Sequence, residues 1–252
     1  MEAARVAAGA ALAVAGLTAG DLWIVPGCAA GVVVAIGPFR RLTPLGTLRG
    51  AVGLPAVIAS RGVLTFAFFG MDAFVPFALT NGRGHSSVAG VVAVTAATVA
   101  WTSAAWVQQR FITRLGEAWF VRAGYLLLLP GIAVVAVSSI PDGLPYWTIH
   151  LGAVLGGFGM GCAYSAHAQL ALRSVPEAAV GSTTASLQLT DNLGIALGTG
   201  VVCAVVAFGD DAGWLVGDAL AIALLVPASA AACGIWLAGR LSGSVSRRTR
   251  PT

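Results

Sequence analysis

Long apolar stretches separated by short polar segments run along the whole chain. Eight of them approach the length that a helix needs to cross the hydrocarbon core of a membrane, about 20 residues. They cover residues 4–19, 22–39, 55–79, 88–108, 119–139, 146–171, 180–208 and 213–239. The alternation of apolar and polar residues that is typical of a membrane β-barrel does not occur. Because lipid cannot satisfy free backbone groups, the pattern predicts an all-α, polytopic transmembrane bundle of about eight spans.

The segments between the spans contain the turn residues and most of the charges. After a TAGD turn they read RRLTPLGTLRG, TNGRGHSS, QQRFITRLGE, SIPDGLP, LRSVPEAA and FGDDAG. The longest is a cytoplasmic linker at 40–54 in our interpretation. It divides the chain into a two-span hairpin (1–39) and a six-span unit (55–241), which a cytoplasmic tail (242–252) follows.

Charge is scarce and unevenly placed. Only 10% of the 252 residues are charged, against about 25% in a soluble domain. With both termini in the cytoplasm, Arg83 is the one basic residue outside, which agrees with the positive-inside rule. The thirteen arginines assigned to the inside are Arg5, Arg40, Arg41, Arg49, Arg61, Arg110, Arg114, Arg122, Arg173, Arg240, Arg247, Arg248 and Arg250. We read them as topology signals and predict no nucleic-acid partner.

Tryptophans support the same orientation, because these side chains collect at both membrane interfaces. Those near the predicted outer face are Trp23, Trp147 and Trp214, and those near the inner face are Trp106, Trp119 and Trp236. We therefore predict a multi-pass protein of the plasma membrane. It is embedded in the lipid bilayer, and both of its termini are cytoplasmic.

Two sequence features resemble a known family. Thr113, Arg114, Leu115 and Gly116, followed by Val121 and Gly124, match the back half of the loop pattern G-x-L-a-D-R-x-G-R-R-x-x-L-x-x-G. A run rich in small residues at 156–200 is similar to the tenth and eleventh spans of the membrane carriers in which this loop pattern occurs. With the six-span unit behind a basic linker, the chain resembles the C-terminal half of a major facilitator superfamily transporter of the drug:proton antiporter type.

The loop also departs from the family pattern. Thr113 replaces its Asp, Gln109 its leading Gly, and Glu117 and Ala118 its basic pair. We therefore assign no gating ion pair to Arg114.

The resemblance implies a secondary transporter that exports a small amphipathic compound by proton antiport with alternating access. Such carriers need two six-helix halves around a central site. We therefore expect the chain to be a fragment, whose first two spans end the first half of a twelve-span parent or form the linker pair of a fourteen-span one. The missing N-terminal half would be its partner. The alternative is a non-transporting membrane subunit or a half-transporter that needs a partner chain.

A polar cluster in the seventh span is the first candidate site. Thr184, Gln188, Asp191 and Asn192 follow a spacing that gathers side chains on one helical face. Ionisable residues at membrane depth cost about 2.5–3.5 kcal/mol on insertion scales, so Asp191 needs an explanation. It would bind a proton beside an aqueous cavity, with Gln188 and Asn192 next to the substrate; alternatively, it makes a polar contact between helices.

Asp72 and His167 are the other candidates. Asp72 lies in the third span with Pro76 one turn on, where it would bind a proton or cation, stay solvated or pair within the bundle. Arg61 is about 16 Å away along the same helix, too far to be its partner. His167, with Tyr164 nearby, would contact substrate or move protons; the alternative is a satisfied structural histidine.

Two groups of residues predict packing. Five glycines of the sixth span predict close helix contact; they are Gly152, Gly156, Gly157, Gly159 and Gly161. The phenylalanines of the third span either line a cavity for apolar compounds or, for most of them, face lipid; they are Phe66, Phe68, Phe69 and Phe74.

Enzyme chemistry has little support in the sequence. The four cysteines stand singly, and His150 and His167 are about 25 Å apart along one helix. No pattern for a nucleophile with its base is present, since Ser165 and His167 point to different faces. We predict no enzyme activity, no catalytic residue, no cofactor and no metal site.

Overall fold

The described chain is almost entirely helical, which confirms the all-α prediction. The computed structural model describes residues 2–18 and 21–241. Its helices are α1 (Glu2–Thr18), α2 (Asp21–Leu42), α3 (Leu54–Asp72), α4 (Val75–Phe77), α5 (Ser87–Leu115), α6 (Glu117–Ser139), α7 (Thr148–Arg173), α8 (Val180–Asp211) and α9 (Val216–Ala238). Short 3-10 turns precede α3 and α8, and a π-helical turn at Ala78–Gly82 follows α4. No strand occurs in these residues.

Six helical segments of the described chain are long and apolar enough to cross a membrane. They are Leu54–Gly82, Ser87–Leu115, Glu117–Ser139, Thr148–Arg173, Glu177–Asp211 and Val216–Ala238. These six match the last six predicted spans and support a multi-pass membrane protein. The α1 helix has 17 residues, about 26 Å by the helical rise, which is short for a core of about 30 Å. The count of eight spans therefore stays a prediction.

The first two helices form a hairpin. A Cβ on Gly9 would lie 2.6 Å from the Gly31 carbonyl oxygen, so the two backbones approach closely at these glycines. Whether this hairpin is a separate unit, as the predicted domain division has it, stays a prediction. Residues 19–20 of the predicted turn, the side chain of Trp23 and the predicted tail at 242–252 lie outside the described residues.

The predicted loop at 109–118 is wrong, because this segment is helical except at one residue. The α5 helix continues to Leu115, and α6 begins at Glu117. Only Gly116 interrupts them, with φ +80°, a conformation that glycine adopts at no steric cost. The segment QQRFITRL contains no glycine or proline, so nothing in it stops a helix that has left the lipid.

The six long segments pack in two rows. One row has the order α5, α7, α3, α8, and α6 and α9 form a second row behind it, in contact with each other. The α6 helix packs on α7, α9 packs on α3, and α1 lies against α8. The centre of the bundle is therefore the contact between α3 and α7.

Glycines of α7 make its close contacts, as predicted, but they face three neighbours. Gly152 and Gly159 lie against α6, where a Cβ on Gly159 would lie 2.5 Å from the Gly124 carbonyl oxygen. A Cβ on Gly156 would lie 2.5 Å from Cε of Met71 on α3. Gly157 and Gly161 lie against α5. Small residues let helix backbones approach in lipid, so this helix has a neighbour on each side.

The aromatic side chains of α3 do not share one environment. Phe68 is buried and its ring meets the Trp101 ring edge-on at 5.5 Å. Lipid exposure is therefore wrong for Phe68, which belongs to the core. Phe66, Phe69 and Phe74 are half-buried.

Candidate functional site

A buried ion pair joins α3 to α8. Arg61 Nε donates to Asp191 Oδ1 at 2.6 Å, and Nη2 donates to Oδ2 at 2.9 Å. The side chains are 5% and 3% exposed. A two-point guanidinium–carboxylate contact is stronger and more directional than a single hydrogen bond. The pair lies between helices that are long and apolar enough to cross a membrane, an environment in which a lone charge is costly.

Tyr164 of α7 completes this cluster. Its ring centroid lies 3.2 Å from the Arg61 guanidinium carbon, and its hydroxyl donates to Asp191 Oδ2 at 3.2 Å. Arg61 Nη1 also donates to the Tyr164 carbonyl oxygen. A cation on an aromatic face gains electrostatic energy, and more so without water. The three residues therefore connect α3, α7 and α8 through one charged group.

Close packing of α3 on α8 brings the pair together. A Cβ on Gly194 would lie 2.5 Å from the Gly62 carbonyl oxygen, so the backbones touch one residue from Arg61 and three residues from Asp191. Arg61 was counted among the cytoplasmic arginines from the sequence. The structure places Arg61 within α3, buried among helices, so its charge belongs to the ion pair and not to an exposed segment; the side of the membrane stays a prediction.

The predicted polar face of α8 is divided between two environments. Asp191 is 2% exposed and faces α3, whereas Thr184, Gln188 and Asn192 are exposed. Gln188 Nε2 donates to Asn192 Oδ1 at 3.3 Å. The single stripe is therefore wrong: Asp191 lies at the edge of the buried face, and the two amides lie beside each other on the open face.

Asp72 has a different environment from Asp191. It ends α3, and the helix resumes at α4, whose second residue is Pro76. Its Oδ1 is buried and has no hydrogen-bond partner among the described residues. Gly70, two residues before it, lies against Gly198, which is about 10 Å along α8 from Asp191 by the helical rise. The two carboxylates are therefore at different levels.

His167 is fully buried and satisfied by neighbours. Its Nδ1 lies 2.9 Å from the Ala163 carbonyl oxygen, which only accepts, so Nδ1 donates. Its Nε2 lies 2.9 Å from Ser60 Oγ. The Tyr125 hydroxyl donates to the Ser60 carbonyl oxygen at 2.5 Å. This geometry favours the structural histidine over direct contact with a substrate.

A groove of about 960 Å³ lies beside the open face of α8. The α1 helix forms one wall, with Val6, Ala10 and Val14 among its residues. Leu193, Asn192 and Thr199 of α8 form the other, and Ala73 and Phe74, next to Asp72 in the chain, also line the groove. The structure thus brings one predicted residue, Asn192, to a cavity and its hydrogen-bonded neighbour Gln188 to the same face. Asp191 and His167 are not among the lining residues.

Sequence reasoning missed two buried polar residues. Arg61 is the one charged residue in the apolar segment VIASRGVLTF. A charge in such a segment needs a partner of opposite charge, and this was the signal that could have indicated a buried ion pair. Gln108 of α5 is fully buried, and neither polar atom of its side chain has a partner among the described residues. It begins the polar segment QQRFITRLGE, which the sequence analysis assigned to a loop, so no sequence signal indicated that Gln108 is buried. No group of three metal-ligating side chains occurs in the described part.

No protein-family model matches the chain, and no curated protein matches it either.

Proposed function

We propose that this chain is a module of a secondary transporter of the major facilitator type. It exports a small amphipathic compound in exchange for protons, from a plasma membrane in which both of its termini are cytoplasmic. One observation carries the proposal: Asn192 lines a large groove, and Ala73 and Phe74 of the same lining directly follow Asp72, whose Oδ1 is buried without a partner among the described residues. Such residues are expensive in lipid and mark ion or substrate pathways when they occur.

The helix packing supports this proposal. The first three long helices, α3, α5 and α6, correspond in order to the last three, α7, α8 and α9. Under this correspondence the contact of α5 with α7 is equivalent to the contact of α8 with α3, and both contacts exist. Both are parallel pairs held by glycines, Gly157 and Gly161 in one and Gly194 and Gly198 in the other. Three-plus-three inverted repeats of this kind are typical of transporter halves.

The residues then take distinct roles. Asn192 and Gln188 contact the polar end of the compound, and the apolar walls of the groove contact the rest. Asp72, whose Oδ1 is unpartnered among the described residues, binds the exchanged proton. Protonation of Asp191 would weaken its hold on Arg61, and would thereby couple a proton to the contact of α3 with α8. His167 positions Ser60 next to Arg61 and does not meet the compound.

Transport by vesicles tests the proposal. The protein, purified from its native membrane with any associated half, is reconstituted, and a pH gradient drives uptake of ethidium, a fluorescent amphipathic cation. We expect Asp72→Asn to abolish gradient-driven uptake without unfolding the protein, since no ion pair is broken. Asp142→Asn, which changes an exposed loop residue, is the matched control and should transport normally. Normal uptake by the Asp72 variant would remove the proton role.

A membrane subunit or half-transporter that needs a partner chain is the second candidate. Exposed polar side chains on α5 and α8, the two outer helices of the four-helix row, favour it. They are Thr95 on α5 and Gln188 and Asn192 on α8, and lipid offers no hydrogen bonds to such groups. The intact mass of the native complex tests it: a single polypeptide well above 25.3 kDa supports a full carrier, and a separate partner supports the subunit.

A further inference from the structure

A second groove, of about 590 Å³, separates the α1–α2 hairpin from the main bundle. It is bordered by α3, α8 and α9 on one side, and Ile36, Val63, Phe66, Leu193, Leu197 and Ala230 are among its residues. The hydroxyl groups of the two threonines in its lining donate hydrogen bonds to carbonyl oxygens three or four residues earlier in the chain. Thr190 Oγ1 donates to the Ser186 carbonyl oxygen, and Thr47 Oγ1 donates to that of Pro44. The groove therefore offers no free polar group that would orient a polar ligand.

Two arginines directly follow, in the chain, residues that line one end of this groove. Phe39, Thr47 and Leu48 line that end, Arg40 directly follows Phe39 in the chain, and Arg49 directly follows Leu48. Both arginines are exposed, and neither has an ion-pair partner among the described residues. An apolar channel whose end residues Phe39 and Leu48 are each followed in the chain by an exposed arginine matches a molecule with an apolar chain and an anionic head.

We propose that this groove binds an anionic phospholipid, with one acyl chain between the hairpin and the bundle and the phosphate at Arg40 and Arg49. Basic pockets between membrane helices bind anionic headgroups, and arginine presents paired donors to phosphate. The lipid fills the space between α2 and the six-helix unit, so it holds the hairpin in place. The two grooves adjoin at Ala10 and Leu193, which line both. The inference does not depend on the transport proposal, because it rests on the apolar lining and on the two arginines.

Photolabelling tests the site. Phosphatidylglycerol with a diazirine at the end of one acyl chain is mixed into phosphatidylcholine vesicles that contain the full protein, and labelled peptides are mapped by mass spectrometry. We expect labels on the lining segments of α2, α3 and α8. Each arginine removed should lower labelling about fivefold, so Arg40→Gln with Arg49→Gln should lower it about twenty-five-fold.

Two further variants separate the groove from general surface charge. Arg110→Gln with Arg114→Gln removes two exposed arginines of α5, which do not border this groove, and should leave labelling unchanged. Ala230→Phe fills the groove and should block labelling while the helical circular dichroism is kept. Equal labelling by the phosphatidylcholine probe, an equal loss in the α5 variant, or labels only outside the groove would overturn the proposal. Displacement of the label by ethidium would assign the groove to the transported compound.

Discussion

The pair of Arg61 with Asp191 makes the sharpest prediction about stability. Asp191→Asn leaves a buried guanidinium without a counter-charge, in contact with a neutral amide oxygen at that position and with the ring and carbonyl oxygen of Tyr164. Removing one partner of a buried pair costs about 3–5 kcal/mol, and we expect a loss of this size in the free energy of unfolding. Arg61→Met should cost a similar amount, because it leaves a carboxylate with one hydroxyl donor.

The double variant, Arg61→Met with Asp191→Asn, removes both charges. No uncompensated charge is then left among the helices, so the double variant should lose less stability than either single one. The coupling between the two sites should therefore be about 3 kcal/mol or more. The same logic makes Asp191→Asn alone a poor test of transport, because loss of folding would mimic loss of function.

Unfolding of the detergent-solubilised protein in increasing sodium dodecyl sulfate, followed by circular dichroism, measures these free energies. The matched control is the pair of Arg173 with Glu117, whose arginine side chain is 67% exposed. An exposed pair contributes about 0–1 kcal/mol, so Arg173→Met should change stability little. If the losses from the two buried single variants simply add in the double variant, the ion pair is not the cause of either loss.

Three further predictions concern packing and the loops. Gly194→Ala should lose about 1–3 kcal/mol of unfolding free energy through overpacking, whereas Gly181→Ala, with open space around it, should not, in the same detergent titration. Ser60→Ala removes the hydroxyl that lies against a buried histidine and tyrosine and should cost about 1–3 kcal/mol; Ser229→Ala, exposed and bonded only to its own helix, is its control, and equal effects would contradict the network. Arg83→Gln removes three bonds to carbonyl oxygens of the loop between α6 and α7, so hydrogen exchange in that loop should speed up while α3 is unaffected, and unchanged exchange would mean that these bonds do not order the loop.

Local features of the chain were predictable from sequence because they depend on neighbours in the chain. Six apolar stretches became the six membrane-length segments. The long α5 was missed because the prediction assigned charged residues to a loop. Charge ends a membrane span, but it does not end a helix.

The candidate site depended much more on the tertiary structure. The sequence marked Asp191 as costly in lipid but not its partner, since Arg61 is 130 positions away and only the choice of neighbouring helices makes them meet. Helical spacing grouped Asp191 with Gln188 and Asn192. A small difference in angle around the helix axis nevertheless separates the buried Asp191 from the two exposed amides.

What the sequence determined by itself is the helical class, the approximate limits of the long spans and the glycines at which helices approach. These follow from local hydrophobicity and from side-chain size. Only the tertiary structure decided that Arg61 is buried with Asp191, that His167 is satisfied by Ser60, and that two grooves border α8. Each of these requires residues far apart in the chain to share one place, and that is set by the way whole helices pack.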